Sequence, residues 1–431
     1  MIGRLYEAVG QYRTDSSILA STMDVAQSKS STGQLSTIQE MNNMISRLIS
    51  SSGSLKTLQG VDTLDFLSRH NLIPKYGFPA DVVPMVPASG SSTDDLTRNM
   101  QIAITEYAPG SEVIVDGRKV VSTYITPIRR GHWIQYRYKK CNNCGKVTTL
   151  IDNFLDRSDD ANASVLDKCS CGNSLKTNQI QRFIRPDLGF KYKDTKMSVS
   201  EKPKRTYSSE ISFCDSYDPE ESIREFGHEN IQIISKSNSK LVIVNENKYL
   251  VCDRCGYAIP MRNVGSKQFS TNHNTPDNKP CSNAHFGSKA IGLGDIFTTD
   301  AVIIRFVTTP CNDRSTMMSV LYAIIEGFCR EFSIERNEIG GCLDNVGGNY
   351  SMIIFDNTPG GSGYVRVIGE DDNIIRILEA ATSVVQNCNC GGIDGDTSCY
   401  SCLRNYRNQL YHDILVRGKA LDFFKSLKLK D

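Results

Sequence analysis

The stretch Cys388-Asn-Cys-Gly-Gly-Ile-Asp-Gly-Asp-Thr-Ser-Cys-Tyr-Ser-Cys402 is the most informative segment of this chain. Its two cysteine pairs are close together, with eight residues between Cys390 and Cys399. A structural zinc ion takes four thiolate or imidazole ligands in a tetrahedron and leaves no position for water. The spacing therefore predicts a closed zinc site. It indicates what stabilises the protein, but it does not by itself indicate what the protein does.

An earlier cysteine group has a similar form. Cys141-Asn-Asn-Cys144 is followed by Cys169-Ser-Cys171, and the 24 residues between these pairs can fold as a ribbon or as an excursion. Gly145 and Lys146, directly after the first pair, are typical of an exposed zinc knuckle. We therefore predict a further structural zinc site with these four cysteines as its ligands.

The middle group lacks a fourth cysteine. Cys252-Asp-Arg-Cys255 is followed by Cys281 as the third ligand. The fourth ligand is a histidine, either His273, eight residues before Cys281, or His285, four residues after it. Short ligand loops are common in zinc sites, so spacing alone slightly favours His285. The chain is thus predicted to bind two to three structural Zn²⁺ ions.

Composition narrows the class of protein. Fifteen cysteines grouped as CxxC and CxC favour metal-bound thiolates in a reducing cytoplasm over a disulfide framework. No His-Glu-x-x-His metalloprotease pattern and no zinc-deaminase pattern occurs, so the sites are predicted to be structural. A net charge of +1 means that any nucleic-acid contact must come from a local patch. No apolar run approaches the roughly 18–20 residues that span a bilayer, and the N-terminus has no signal-peptide core, so we expect a cytoplasmic protein without a membrane partner.

Periodicity predicts a multi-domain α+β fold stabilised by zinc knuckles. Residues 1–85 form a helical N-terminal region, 86–245 a β-rich domain with the first zinc knuckle, and 246–431 a domain with the other two sites. The evidence for the helical region is an apolar stripe at helical spacing, formed by Met41, Met44, Ile45, Leu48 and Ile49.

The C-terminal third resembles a known family. Its motifs are Asp356-Asn-Thr-Pro-Gly-Gly-Ser-Gly-Tyr364, Ile377-Leu-Glu-Ala-Ala381, and the last cysteine group with Leu403-Arg-Asn-Tyr-Arg-Asn-Gln409, followed by His412 and Arg417. Together they resemble the zinc-binding C-terminal domain of the mitomycin-repair helicase MrfA, which DrmB of the DISARM antiphage system shares. Weaker likeness extends upstream, to Lys75–Val82, Glu106–Glu112 and Leu293–Asp300.

The resemblance carries several implications. It favours His273 over His285 as the fourth ligand of the middle site. It implies a zinc-stabilised accessory subunit of a superfamily 2 helicase or translocase in antiphage defence or DNA repair. Its partners would be a helicase motor subunit encoded nearby and DNA, single-stranded or at a junction. The chain has no Gly-x-x-x-x-Gly-Lys-Ser/Thr phosphate loop and no Asp-Glu pair for a DEAD/DEAH box, so we expect it not to be an ATPase.

Two basic segments are candidates for nucleic-acid contact. In the first, the stretch from Arg129 to Lys140 interleaves basic and aromatic residues, a composition that suits base stacking and phosphate neutralisation. Its candidate residues are Arg129, Arg130, Trp133, Arg137 and Lys139. In the second, Arg404 and Arg407 follow the last cysteine group and could hold phosphates. The alternatives are a solvated strand with a buried tryptophan, and arginines that satisfy carbonyl groups around the zinc knuckle.

Two other kinds of chemistry stay open at this point. Asp187, Asp194 and Lys196 imitate the carboxylates and lysine of a metal-dependent DNA nuclease. Pro359-Gly-Gly-Ser-Gly363 could cradle a phosphate with its amides, although a tight turn is the better interpretation. A zinc-ribbon adaptor with only protein partners is a further alternative.

Overall fold

The computed structural model describes residues 82–89, 96–115, 118–127, 133–144, 146–150, 168–169, 171–175, 181–194, 209–214, 223–226, 231–261, 272–281, 290–358 and 360–427. Residues 1–81 of the predicted helical N-terminal region lie outside these ranges. The last residues of that region, from Val82 onward, form a β-strand.

A smaller sheet comes first in the chain. Its strands are β1 (Val82–Pro87), β2 (Leu96–Asn99), β3 (Glu112–Val115), β4 (Arg118–Ile125) and β8 (Phe190–Asp194). They lie in the order β2-β1-β8-β4-β3, and only the β1–β8 pair is parallel. Helix α1 (Met100–Glu106) follows β2 and buries Met100, Ala103 and Ile104 in a core that both sheets share.

A ten-stranded sheet forms the larger part of the fold. Its strands are β5 (Ile134–Lys140), β6 (Val147–Leu150), β7 (Gln181–Arg185), β9 (Ser209–Phe213), β10 (Ile223–Phe226), β11 (Ile231–Val251), β12 (Ala258–Pro260), β13 (Ile291–Phe306), β14 (Ile339–Val346) and β15 (Asn349–Asp356). The long strands β11 and β13 pair antiparallel along most of their length. β7 pairs with β13 on one side, and β15 pairs with it further along and leads to β14.

Three helices cover one face of the large sheet and lead to the last cysteine group. They are α2 (Arg314–Glu331), α3 (Asn373–Gln386) and α4 (Arg417–Ser426). Asp313 caps α2 by accepting the amide of Thr316, which satisfies one of the free N–H groups at the helix start. At Gly327 of α2 an added Cβ would lie 2.5 Å from the amide nitrogen of Ala381, so only glycine permits this approach of α2 to α3.

The predicted α+β fold with a helical N-terminal region is wrong for the part of the chain that is described. That part is mostly β-sheet, with 41% strand against 23% helix. One physical reason is visible in β11, which continues beyond residue 245 through polar residues up to Lys248, where an apolar strand pattern is missing from the sequence. The predicted domain boundary after residue 245 falls inside β11, so the segments on its two sides share one sheet.

Candidate metal centres

The three cysteine groups each form a compact tetrad. In every group the four ligand atoms lie within 4.8 Å of one another. The tetrads are Cys141, Cys144, Cys169 and Cys171 (the first site), Cys252, Cys255, His273 and Cys281 (the second site), and Cys388, Cys390, Cys399 and Cys402 (the third site). Tetrahedral zinc with bonds of about 2.3 Å places its sulfur ligands about 3.8 Å apart, whereas a disulfide needs about 2.05 Å.

The Sγ–Sγ distances agree with zinc and not with disulfides. They are 3.6 Å for Cys141–Cys171, 3.6 Å for Cys144–Cys169 and 3.9 Å for Cys252–Cys281. In the third site the pairs Cys388–Cys399 and Cys390–Cys402 are both at 3.6 Å. Each tetrad thus has the size and the ligand types of a closed structural zinc site.

The first site combines a knuckle after β5 with a short turn. The amide of Cys141 donates to the carbonyl oxygen of Lys146, which closes the knuckle. Asn173 donates its side-chain amide to the Cys141 sulfur at 3.6 Å. Lys146 also pairs with Asp344 of β14 at 2.9 Å, and both side chains are largely buried. This ion pair attaches the first knuckle to the C-terminal half of the large sheet.

The second site is built against the smaller sheet. Gly256 follows the Cys252–Cys255 knuckle with φ of +76°, and its carbonyl oxygen accepts the amide of Ile125 of β4. A Cβ on Gly256 would lie 2.0 Å from the Ile125 oxygen, so glycine is required for both reasons. Tyr124 donates its hydroxyl to the carbonyl oxygen of Asn274 at 2.8 Å and so holds the loop that carries the histidine ligand.

His273 lies in the position of the fourth ligand. Its Nε2 atom is 3.2 Å from the sulfur of Cys255, and its ring stacks on Tyr257 with centroids 4.5 Å apart. Its carbonyl oxygen accepts the amide of Cys281, which fixes two ligands in one short hairpin. His285, which spacing alone favoured, lies outside the described residues.

The third site lies directly after α3. The carbonyl oxygen of Cys399 accepts the amides of Cys402, Leu403 and Arg404, so the chain folds back tightly around the metal position. The amide of Cys399 points at the sulfur of Cys402 at 3.2 Å. Such N–H···S contacts stabilise thiolates and orient them toward the metal.

A buried arginine holds the first half of the third site. Arg417, the first residue of α4, is only 4% exposed. Its guanidinium donates to the carbonyl oxygens of Cys390 at 2.9 Å, Val385 at 3.0 Å and Gly392 at 2.6 Å. These three carbonyl groups belong to the end of α3 and to the zinc loop, so Arg417 joins the helix, the loop and α4.

Two further arginines hold the second half of the third site, the Cys399–Cys402 knuckle. Arg336 donates to the carbonyl oxygens of Tyr400 at 3.0 Å and Cys402 at 3.1 Å. Arg330 donates to the carbonyl oxygen of Ser401 at 2.9 Å. Both arginines also pair with Glu326, a buried carboxylate of α2. The Cys399–Cys402 knuckle is therefore bound to α2 through charged hydrogen bonds to its main chain.

The electrostatics of the thiols favour a bound cation. Burial raises the pKa of Cys390 to about 11 and that of Cys255 to about 12. Burial also acts to raise the pKa of Cys399, but the Ser401 amide and neighbouring thiols lower it to about 7. A divalent ion offsets the cost of gathering thiolates here, which fits Zn²⁺.

Residues 320–403, which include α2, α3 and the ligands of the third site, match the family profile of the MrfA Zn-binding domain. This segment is therefore similar to the MrfA Zn-binding domain. The predicted resemblance is confirmed over these residues, and zinc is confirmed as the metal of a chain with three Cys/His tetrads.

Two longer proteins are similar to the chain over most of its length. Druantia protein DruE of Escherichia coli (strain UMEA 4076-1) is 23% identical over 408 residues, 83% of this chain and 21% of DruE. The chain thus spans about a fifth of the length of the curated relative it matches. The crystal structure of the DUF1998 helicase MrfA bound to DNA aligns with 80% of this chain and 34% of MrfA, at 9% identity and a TM-score of 0.37.

Two candidate residues of the predicted nucleic-acid strand are internal. Trp133 is 2% exposed and Lys139 is 0% exposed, so both side chains lie inside the protein. Neither can contribute to the stacking surface that the sequence suggested, and the alternative of a buried tryptophan describes Trp133 correctly. Arg137 is half-buried on β5. Arg129 and Arg130 lie outside the described residues and stay predictions.

Arg404 and Arg407 differ in their surroundings. Arg404 donates to the hydroxyl of Ser398 at 3.0 Å and to the carbonyl oxygen of His412 at 3.2 Å, so its guanidinium supports the zinc knuckle. Arg407 is exposed and can meet a partner from solvent. Nucleic-acid contact by Arg407 stays a prediction.

The two described residues of the nuclease triad have different surroundings. Asp187 pairs with Arg185, which also donates to Asp295 at 2.6 Å. Asp194 lies at the far end of β8, and the strand from Phe190 onward alone spans about 13 Å. One Mg²⁺ cannot bridge carboxylates that far apart. Lys196 lies outside the described part of the chain.

The glycine-rich turn after β15 serves the protein itself. The fully buried carboxylate of Asp356 accepts the amides of Ser362 at 2.8 Å, Gly363 at 2.7 Å and Val365 at 3.2 Å. Burial raises the pKa of this carboxyl, and the three amides oppose that effect. Amides committed to Asp356 cannot cradle a phosphate, in agreement with the tight-turn interpretation.

Sequence reasoning missed the residues that support the sites. These are Glu326, Arg330, Arg336, Asp344 and, in this role, Lys146 and Arg417. They act on main-chain oxygens or on one another over long sequence separations, and no short motif marks them.

None of the described helices is both long enough and apolar enough to cross a bilayer.

Proposed function

We propose that this chain is a non-catalytic, zinc-stabilised component of a superfamily 2 DNA helicase or translocase complex in prokaryotic antiphage defence. It would work in the cytoplasm, contact DNA and dock on a motor subunit that hydrolyses ATP. The MrfA-type zinc-binding domain and the similarity to a Druantia protein support the helicase and defence settings. DISARM is a second defence setting that the resemblance to DrmB suggests.

One observation carries the proposal. The third zinc site holds a fully exposed Ile393 and an exposed Tyr400 on two loops that zinc and hydrogen bonds from Arg336 and Arg417 make rigid. Exposed apolar side chains on a rigid loop favour contact with another protein, since little conformational entropy is lost on docking. Exposed Asp394 and Asp396 follow Ile393 in the same loop, which favours a basic protein surface over DNA at this point.

The direct test is co-purification with the motor encoded by the adjacent gene. We expect a stable complex whose ATPase activity depends on DNA, and no ATP hydrolysis by this chain alone. An Ile393→Asp variant should lose the motor. Ile114→Asp is the matched control, because Ile114 is an exposed isoleucine of β3 in the other sheet.

An adaptor with only protein partners is the second candidate, and the same exposed Ile393 favours it. Binding of DNA separates the two. Suppose that the chain binds the motor, that the isolated chain does not bind DNA, and that the complex binds DNA no more tightly than the motor alone. The adaptor is then the correct function. If no motor binds and the isolated chain hydrolyses ATP, both are excluded.

A further inference from the structure

A pocket of about 580 Å³ opens beside the second zinc site. Its described lining consists of Lys193, Tyr257, Asn272, His273, Asn274, Pro280 and Cys281. Two of these, His273 and Cys281, are zinc ligands at the two ends of one hairpin, which makes this wall of the pocket rigid. The volume is in the range that accommodates a nucleotide-sized ligand.

The polar groups of the pocket suit an anion. Lys193 is a half-buried lysine of β8 whose ammonium lies 5.1 Å from the centre of the Tyr124 ring. Within the described ranges no carboxylate pairs with Lys193, and none of the described lining residues is acidic.

The aromatic groups do not offer a stacking platform. Tyr257 stacks on His273 with an interplanar angle of 9° and contacts Tyr124 in an edge arrangement at 5.6 Å. Its ring is engaged by two protein rings, and the side-chain amide of Asn274 already donates to Asn278 at 3.0 Å, so recognition in the pocket depends on the lysine and the tyrosine hydroxyl. These groups bind phosphate oxygens and sugar hydroxyls better than they bind a base.

We propose that this pocket binds a phosphate group through Lys193, and that the phosphate belongs to the sugar–phosphate backbone of a DNA strand. The assignment of the phosphate to a DNA strand rests on the proposed function. Zinc with three thiolates and a neutral imidazole carries a net charge of −1, so Lys193 also partly balances the metal site. An ammonium has three donors and can face the site while donating to a phosphate.

The test measures binding of a fluorescein-labelled single-stranded oligodeoxynucleotide to the full chain by anisotropy over a range of salt concentrations. Lys193→Gln should weaken binding about tenfold and reduce the salt slope by about 0.7, as loss of one phosphate contact to a single strand does. Lys193→Arg should restore most of the affinity. Lys425→Gln, which removes an exposed lysine at the end of α4, should change neither quantity.

Two additional arms identify the source of the phosphate and the role of the lysine. A methylphosphonate oligonucleotide, which lacks the backbone charge, should bind wild type and Lys193→Gln equally. If Lys193→Gln abolishes binding of inorganic phosphate in calorimetry but leaves DNA affinity unchanged, the backbone assignment is overturned. If the variant loses one zinc ion and binds DNA normally, Lys193 serves the metal alone and the pocket proposal fails.

These outcomes separate the pocket from the proposed function. Equal binding of DNA by wild type and Lys193→Gln overturns the pocket and leaves the helicase-associated role intact. If wild type binds no DNA, alone or with the motor, the pocket and the DNA role fail together. Co-purification with the motor then still tests the accessory role separately.

Discussion

The guanidinium of Arg417 donates to the carbonyl oxygen of Cys390, a zinc ligand 27 residues earlier in the chain, at 2.9 Å. The same side chain serves two other main-chain oxygens and is almost fully buried. A buried cation with three carbonyl partners is stable only when all of them stay in place. The contact therefore couples the shape of the third zinc loop to the packing of α4.

Replacing Arg417 with methionine should destabilise the protein by about 2–4 kcal/mol, because three buried carbonyl oxygens lose a charged donor. Urea denaturation measures the change. Lys419→Met on the same helix is the control, since its ion pair with Asp313 is exposed and should contribute less than about 1 kcal/mol. Equal effects of the two substitutions would show that Arg417 does not hold the loop.

Gly256→Ala should weaken the second zinc site. The new Cβ would strain a backbone with φ of +76° and clash with the Ile125 oxygen, so we expect a loss of more than about 2 kcal/mol and faster zinc release. Gly172→Ala in the first site introduces backbone strain without a clash, because φ is +87° and no described atom lies within 4 Å of the new Cβ. Its cost should be about 1–2 kcal/mol. A chelator competition assay compares the two variants.

Asp313 should confer a measurable acid dependence on stability. Hydrogen bonds from Thr316 and Lys419 lower the pKa of Asp313 from 3.8 to about 2. A depressed carboxyl pKa means that the stabilisation is complete above about pH 4 and is lost as pH falls toward 2. Asp313→Asn keeps the helix cap and should make the free energy of unfolding less dependent on pH in this acid range. Asp313→Ala should do the same and should also lose about 1 kcal/mol of stability at neutral pH, because the cap is lost.

The comparison between wild type and the Asp313 variants removes the contribution of zinc release, which acid causes in all of them. Stability curves of wild type and Asp313→Asn that run parallel between about pH 4 and 2 would show that the carboxylate has no special role.

Removing only the lysine of the buried Lys146–Asp344 pair should lower stability more than removing both charges. Lys146→Met leaves the Asp344 carboxylate buried opposite a methyl group and should cost about 3–5 kcal/mol. The double variant Lys146→Met/Asp344→Leu should recover most of that loss, because neither charge is then buried. A double-mutant cycle by denaturant unfolding tests this, and additive losses would contradict it.

The metal sites could be predicted from the sequence further than the fold could. Closely spaced cysteines mark their own site, since a CxxC knuckle is local. The choice of His273 over His285 came from resemblance, because the hairpin that pairs Cys281 with the His273 carbonyl is a three-dimensional feature. Arg336 and Arg417 could not be recognised, as their partners are main-chain oxygens that carry no sequence signature.

The β-sheet architecture was harder to predict. β7 pairs with β13 more than a hundred residues later, and periodicity reports nothing about such pairing. The alternation around Trp133 predicted a surface that the structure places inside, because Lys139 extends to the Leu175 carbonyl oxygen at 3.4 Å instead of into solvent. A charged residue on a strand indicates solvent only when no buried acceptor lies within its reach.

The central claim is that three closed zinc sites stabilise this chain, and metal analysis of the purified protein tests it most directly. We expect three zinc ions per chain in wild type and in Cys311→Ser, whose cysteine lies outside the tetrads, and two in Cys402→Ser. The thiols of the tetrads should be protected from modification until a chelator is added. Wild-type protein with fewer than three zinc ions and reactive cysteines, or with disulfides in place of the tetrads, would contradict the account.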